Sequence, residues 1–170
     1  MEKQEHDPPR AQDPLRPHRH DPNPDPPSAD ADFVVVLPNG RFQTVTLAAL
    51  YKLPATTVPN YKIASTGHEA SGPFAFTGVT LLDFVQAHWP HPWTQIEIVS
   101  ADGFGNRVFA DELQELESFG PVLLAYAIDG LPMSRLQGLV RMIVPSERDD
   151  ALRQVKWIGR IAIRQDVRVF

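Results

Sequence analysis

Short apolar runs joined by turn residues are the feature that most constrains the fold of this chain. Residues 33–37 are a run of Phe, Val and Leu, residues 38–40 read Pro-Asn-Gly, and residues 41–46 resume strand character. Runs of β-branched and aromatic residues bounded by Pro, Asn and Gly are typical of strands joined in a hairpin. The same pattern predicts strands at 57–63, 95–99, 106–109, 122–128, 139–144 and 157–163, and a brief strand at 74–76 that ends at Gly78.

Helices are predicted in three short segments only. Residues 47–53 have apolar positions at helical spacing and are followed by Pro54, which ends a helix. Thr80 and Asp83 have the spacing of a capping box, so a helix should begin there and run to His88 or Trp89. A third helix is expected at 111–116, and a loop of small residues at 64–73. Because strands outnumber helices and turns often join them, we expect an α+β fold with a mixed, largely antiparallel sheet.

The first 31 residues differ from the rest. Eight of the 17 prolines lie between Pro8 and Pro27, interleaved with Asp, His and Arg. Such a segment cannot bury enough apolar surface to offset the entropy of ordering. We therefore expect residues 1–31 to be a disordered, Pro-rich acidic tail and residues 32–170 to be one folded domain. The tail histidines at positions 6, 18 and 20 could capture a divalent metal, but the ordering entropy favours a solvated tail.

Charge and hydropathy limit the partners and the location. Residues 33–170 carry thirteen acidic and twelve basic side chains, so their net charge is −1. A nearly neutral domain lacks the surplus of Lys and Arg that nonspecific nucleic-acid or anionic-membrane binding requires. We see no apolar run of signal-peptide or membrane-helix length, which predicts a cytoplasmic protein that binds neither nucleic acid nor membrane. The chain also contains no cysteine, which excludes disulfides and thiolate chemistry.

Five segments, taken in order, resemble a known family. The segments at 76–83, 100–104, 123–130 and 138–145, followed by Val155-Lys156-Trp157, are similar to the oxidoreductase molybdopterin-binding domain of the sulfite oxidase family. The resemblance spans roughly residues 45–163. It implies a sulfite-oxidase-like molybdopterin-binding fold and molybdopterin as a possible cofactor.

The same resemblance shows what the chain lacks. Members of the family that do chemistry hold molybdenum with the dithiolene sulfurs of the pterin and with one cysteine of the protein. In this chain Ser65 replaces that cysteine and His68 replaces an asparagine of the motif, although a slip of one residue would place Ala64 or Thr66 there. A serine alkoxide is far less accessible than a thiolate, so Ser65 could equally be a loop residue bonded to the backbone. His68 could donate to a pterin or shuttle a proton, or form an exposed pair with Glu69.

Arg141 and Lys156 match two positions that lie at the cofactor in the family. The family places the Arg of a Gly-x-x-Arg segment and the Lys of Lys-Trp there. A guanidinium offers a planar fork for a phosphate or a polar ring edge, and an ammonium suits a phosphate as a point charge. If Lys156 opens the last strand, Arg160 and Arg164 share its face, as an anion-binding row or as the solvated side of the strand. Leu139 stands where the family usually has a second glycine.

These features predict the function that the resemblance implies. The expected cofactor-binding residues are Ser65, His68, Arg141 and Lys156, and the missing thiol argues against a molybdenum ligand from the protein. We expect a degenerate molybdopterin-binding-type domain that acts as a pterin- or anion-binding module or as an interaction module with a protein partner. The alternatives are an active small molybdenum-cofactor oxidoreductase with a non-cysteine ligand, and a cofactor-free structural domain.

Overall fold

A computed structural model of the chain describes residues 30–63, 71–118, 120–146 and 153–165. Within these residues there are three short helices, α1 (Leu47–Tyr51), α2 (Leu81–His88) and α3 (Leu113–Glu117). The strands of the described part are β1 (Phe33–Val36), β2 (Phe42–Val45), β3 (Thr56–Ile63), β4 (Ser71–Thr80), β5 (Gln95–Ser100), β6 (Gly105–Phe109), β7 (Leu123–Ile128), β8 (Leu131–Pro132), β9 (Arg141–Ile143) and β10 (Ile158–Arg164).

The described strands form two sheets. The first has the order β2-β1-β10-β5-β6, and the second has the order β3-β4-β7-β8, with β9 also pairing with β7. β1 and β10 are parallel, with Val34 opposite Arg160, and the other strand pairs are antiparallel. The α+β class and the mixed, largely antiparallel pairing are therefore confirmed.

The predicted hairpin is present at β1–β2, and the strands predicted at 95–99 and 106–109 form a second hairpin, β5–β6. In the first, the N–H of Leu37 donates to the carbonyl of Arg41 at 2.8 Å, and Gly40 adopts a φ of 84°. That left-handed conformation favours glycine, which has no Cβ to clash with its own backbone. The turn residues thus set the strand pairing that the sequence indicated.

Helix α2 begins where the capping spacing predicts. The Thr80 hydroxyl accepts from the N–H of Asp83 at 3.1 Å, and the helix ends at His88. Its buried residues are Leu81, Phe84 and Val85, which contact the core between the sheets. None of the helices in the described ranges has the length and apolar character needed to cross a bilayer.

Strand β4 is much longer than predicted, so the brief strand at 74–76 and the loop extending to residue 73 were wrong. β4 pairs with β3 on one side and with β7 on the other, and ladder bonds on both sides hold residues whose side chains alone do not favour a strand. Gly78 does not end the strand. A Cβ there would overlap the carbonyl oxygen of Leu124, so glycine permits the close approach of β4 to β7 at a register shift. Residues 64–70 of the predicted loop lie outside the described residues.

The predicted strands at 139–144 and 157–163 begin too early. Leu139 and Trp157 have φ values of 58° and 51°, a left-handed conformation far from that of a regular strand. Lys156 therefore does not open β10. Arg160 and Arg164 are exposed on that strand, and Arg164 lies 3.4 Å from a carboxylate oxygen of Glu97, so the three cations do not form one row.

The hydrophobic core has two parts. The larger cluster joins both sheets through residues such as Ile98 and Ile161 of the first sheet and Leu124 and Met142 of the second. A smaller cluster lies around the second sheet and consists of Met133, which follows β8, and of residues of β3, β4, β7 and β9: Val58, Tyr61, Phe76, Leu123, Ala125, Ile128 and Ile143. The second sheet thus has apolar side chains on both faces, and the smaller cluster is the setting of the candidate site.

Candidate functional site

Arg141 is a buried cation at the start of β9. Its side chain is 4 % exposed, and its Cζ lies 5.4 Å from the centroid of the Phe76 ring. β9 pairs with β7 so that Arg141 stands opposite Ala125, a small residue in the same sheet. A buried guanidinium is unfavourable unless its N–H groups are hydrogen-bonded or the charge meets an anion or an aromatic face.

Two of the terminal N–H groups of Arg141 have protein acceptors. Nη1 donates to the carbonyl of Gln137 at 3.2 Å, and Nη2 donates to Oε1 of Gln154 at 2.6 Å. Nε is buried, and no acceptor lies within hydrogen-bond distance of it among the described residues. A buried N–H without a partner is unfavourable by about 1–3 kcal/mol, which an acceptor on a ligand would offset.

Gln154 and Tyr61 extend the hydrogen bonds of Arg141 to the backbone of Val144. Nε2 of Gln154 donates to the Tyr61 hydroxyl at 2.8 Å, and that hydroxyl donates to the carbonyl of Val144 at 3.2 Å. The Tyr61 ring also packs edge-on against Phe76, with centroids 5.4 Å apart. A residue of β3 is thus joined to the segment ahead of β10 and, through it, to Arg141.

Lys156 lies beside this group and is partly buried. A Cβ on Gly138 would lie 3.1 Å from Cβ and Cγ of Lys156, and Gly138 has a φ of 109°, so both space and conformation call for glycine there. The next residue, Trp157, donates from Nε1 to the carbonyl of Arg135 at 2.6 Å and from its backbone N–H to Gly138 at 3.0 Å. These bonds hold the segment of Lys156 against the loop that precedes β9.

The electrostatics of the site favour an anion. Burial lowers the pKa of Arg141 to about 10. Burial also lowers the pKa of Lys156, and the positive charge of Arg141 lowers it further. Neither cation forms a salt bridge within the described ranges, where the two pairs found are Arg153 with Glu112 and Arg164 with Glu97. Two interacting cations without a carboxylate are stabilised when an anion binds between or beside them.

The structure brings together two of the four predicted site residues. Arg141 and Lys156 are close enough for their charges to interact. Ser65 and His68 fall in residues 64–70, outside the described residues, so their assignment stays a prediction. Leu139 has a left-handed φ of 58°, a conformation that a glycine in its place would adopt more readily.

Gln154, Tyr61 and Phe76 were not found by sequence reasoning. Gln154 lies just ahead of the Val155-Lys156-Trp157 landmark, and Phe76 opens another landmark, but neither position indicates a contact with Arg141. Tyr61 and Gln154 are 93 residues apart in sequence, so only the assembled sheet places them in contact.

The residues present fit a pterin or phosphate better than a metal ion. The Nε of Arg141, which has no acceptor in the described part of the chain, and the ammonium of Lys156 are positively charged donors, which suit a phosphate or a carbonyl edge. Within the part of the chain that is described, no three His, Asp or Glu side chains are grouped as a metal site would require. The thiolate that catalytic relatives use cannot come from a chain without cysteine.

Comparisons with known proteins agree with the fold. The family model described as oxidoreductase molybdopterin binding domain matches residues 38–168. No curated protein matches the chain. Among solved structures, the crystal structure of the sulfane dehydrogenase SoxCD from Paracoccus pantotrophus superposes with a TM-score of 0.62 at 17% identity. The match covers 79% of this chain and 38% of that one, so this chain spans well under half of its structural neighbour.

Because its sequence identity is only 17%, the structural match supports the fold alone. The family match covers most of the chain. Its range includes every strand and helix of the described part except β1, which begins five residues earlier at Phe33. The expected sulfite-oxidase-like fold is confirmed, and the chain belongs to the oxidoreductase molybdopterin-binding domain family.

Proposed function

We propose that this domain binds molybdopterin through Arg141 and Lys156 and acts as a pterin- or anion-binding module without a cysteine ligand for molybdenum. The observation that carries the proposal is the buried Nε–H of Arg141, which has no protein acceptor among the described residues and lies beside a second cation. A buried donor without an acceptor, next to a second positive charge, is the arrangement expected of an anion-binding site.

Each residue has a defined role in this proposal. The Nε–H of Arg141 donates to an oxygen of the ligand, and its charge, held over the Phe76 ring, attracts a phosphate. The ammonium of Lys156 neutralises a second negative charge on the same group. Ser65 and His68 would contact the pterin from the segment that follows β3. A complete molybdenum cofactor supplies oxygen-atom and electron transfer when bound, and the protein contributes binding and orientation.

The first test measures cofactor content. The full chain is produced without a histidine tag in a host that makes molybdenum cofactor, and pterin is measured by fluorescence after oxidation, with molybdenum measured by mass spectrometry. We expect pterin in the wild type and a loss of about tenfold or more in Arg141→Gln and in Lys156→Gln, because each removes a charged donor. Arg164→Gln is the matched control, since it removes an exposed arginine that pairs with Glu97.

Folding and metal content separate the outcomes. Thermal unfolding of each variant shows whether a lost ligand reflects a lost fold, and Lys156→Gln is the safer variant because Lys156 is only partly buried. Near-stoichiometric molybdenum together with the pterin would contradict the proposal of a module without metal and would favour a functioning oxidoreductase. Absence of pterin from the wild type, while a cysteine-containing relative loads normally in the same host, would overturn the proposal.

A further inference from the structure

The buried guanidinium of Arg141 is held only by neutral groups among the described residues. Its acceptors are the backbone carbonyl of Gln137 and the side-chain amide of Gln154, at 3.2 and 2.6 Å. Buried arginines are more commonly paired with carboxylates, which compensate the charge. At this site the charge is oriented by these contacts, and no carboxylate of the described residues compensates it.

The hydrogen-bond chemistry fixes the direction of the whole chain of contacts. An arginine has donors only, so Gln154 must present Oε1 to Arg141 and therefore Nε2 to Tyr61. The Tyr61 oxygen accepts from Nε2 at 2.8 Å, and its proton points to the carbonyl of Val144 at 3.2 Å. One orientation of each group satisfies every partner. We call this set, Gln154, Tyr61 and the carbonyl of Val144, the neutral relay.

Arg153, which directly precedes Gln154, is paired with a carboxylate instead of with a neutral group. Arg153 donates from Nη2 to Oε1 of Glu112 at 2.7 Å and from the same atom to the carbonyl of Arg107 at 2.8 Å. That arginine is charge-compensated and ties its segment to the residue that precedes α3. The two arginines thus differ in their partners: Arg153 pairs with the carboxylate of Glu112, whereas Arg141 donates to the neutral amide of Gln154.

We propose that Gln154 and Tyr61 are positioning residues of the anion site, which fix the Arg141 guanidinium through neutral contacts so that its Nε–H and its full charge remain for a phosphate monoester or another tetrahedral oxyanion. This inference rests on the proposed function, because it assigns the relay to the same site. A carboxylate at position 154 could accept the same hydrogen bond, but it would cancel the charge that the ligand needs.

The first variant adds a negative charge to the relay, and it also reverses the hydrogen bond to Tyr61, because a carboxylate can only accept there. Gln154→Glu has nearly the same shape and keeps an oxygen within reach of Nη2, so the fold should be retained. The affinity for inorganic phosphate should fall about tenfold or more, because the new carboxylate pairs with Arg141 and repels the anion. Gln114→Glu adds the same charge at an exposed position of α3 and should leave the affinity within about twofold of wild type.

The second variant removes one hydroxyl from the relay. Tyr61→Phe keeps the ring against Phe76 but leaves Nε2 of Gln154 without its acceptor, so the amide loses its fixed orientation. In nuclear magnetic resonance spectra recorded without ligand, the terminal N–H protons of Arg141 should exchange with water several-fold faster than in wild type. Tyr51→Phe is the matched control, since Tyr51 is an exposed residue that packs against Tyr126.

Two readouts on the same samples separate the two proposals. Phosphate is titrated at constant ionic strength while the Nε–Hε signal of Arg141, identified by its absence in Arg141→Lys, is followed. If phosphate does not shift this signal in the wild type, the proposed function fails. If phosphate shifts it in the wild type and equally in Gln154→Glu, or if Tyr61→Phe leaves the exchange of the terminal protons unchanged, the positioning role is overturned while the proposed function stands.

Discussion

Lys156 shows how one residue responds to its surroundings. Burial lowers its pKa from the ordinary value of 10.5, and the charge of Arg141 lowers it further. Between the lowered pKa and 10.5 the unfolded chain binds more protons than the folded chain, so the contribution of this lysine to stability rises with pH across that window. A bound anion opposes this lowering of the pKa, because its negative charge favours the protonated lysine.

The affinity for an anion should therefore depend on pH. Sulfate is a suitable probe because its charge stays constant in this range. Its affinity, measured by calorimetric titration, should fall as the pH rises through the lowered pKa of Lys156, and about tenfold should be lost once the lysine is neutral. Lys156→Arg keeps its charge and should move the fall to higher pH. An identical pH profile in the two proteins would show that Lys156 does not face the anion.

At the scale of residues, the sequence indicated the charged members of the candidate site and missed the neutral ones. Arg141 and Lys156 could be predicted because they belong to landmark segments and because their charges suit a phosphate. Gln154 and Tyr61 have common side chains in unremarkable segments, and the bond between them spans 93 residues. Their roles depend on strand pairing that local patterns do not determine.

At the scale of elements, local chemistry predicted helices and turns better than strand length. α2 was located by the spacing of Thr80 and Asp83, whose hydrogen bond is formed within one turn of chain. The length of β4 was underestimated because its outer residues are held by hydrogen bonds to neighbouring strands. The starts of β9 and β10 were misplaced because Leu139 and Trp157 have backbone conformations that their side chains do not reveal.

The cap of α2 can be tested directly. Thr80→Ala removes the acceptor for the N–H of Asp83 and should lower the free energy of unfolding by about 1 kcal/mol. Thr80→Ser keeps the hydroxyl and should recover most of that loss. Urea unfolding followed by circular dichroism measures both. Equal stability of the alanine and serine variants would mean that the hydroxyl contributes nothing to the helix.

At the scale of the whole molecule, the two sheets share one large core. Ile98 and Ile161 of the first sheet belong to the same cluster as Leu124 and Met142 of the second. Apolar contacts across the interface between two sheets couple their stabilities, because neither sheet can separate without exposing both faces. The apolar runs and turn residues predicted most of the strands, but not their division into two sheets.

A core substitution in one sheet should therefore destabilise both. Ile161→Ala removes a fully buried side chain from β10 and should lower the free energy of unfolding by about 2–5 kcal/mol. Hydrogen exchange at backbone amides of β5 and of β7 should accelerate together. Arg160→Ala, at an exposed neighbour, is the control. Acceleration in β5 alone would show that the sheets unfold separately.

The position of β10 has a consequence for how the protein is made. It is the middle strand of the first sheet, yet it follows the other nine strands of the described part in sequence. Until it leaves the ribosome, β1–β2 and β5–β6 are two hairpins with no strand between them, and each has an edge with unpaired backbone groups. The second sheet depends on no later segment for its named strand pairs. Translation therefore produces one sheet that can assemble early and another that stays open, exposed to association with other nascent chains, until residues 158–164 emerge.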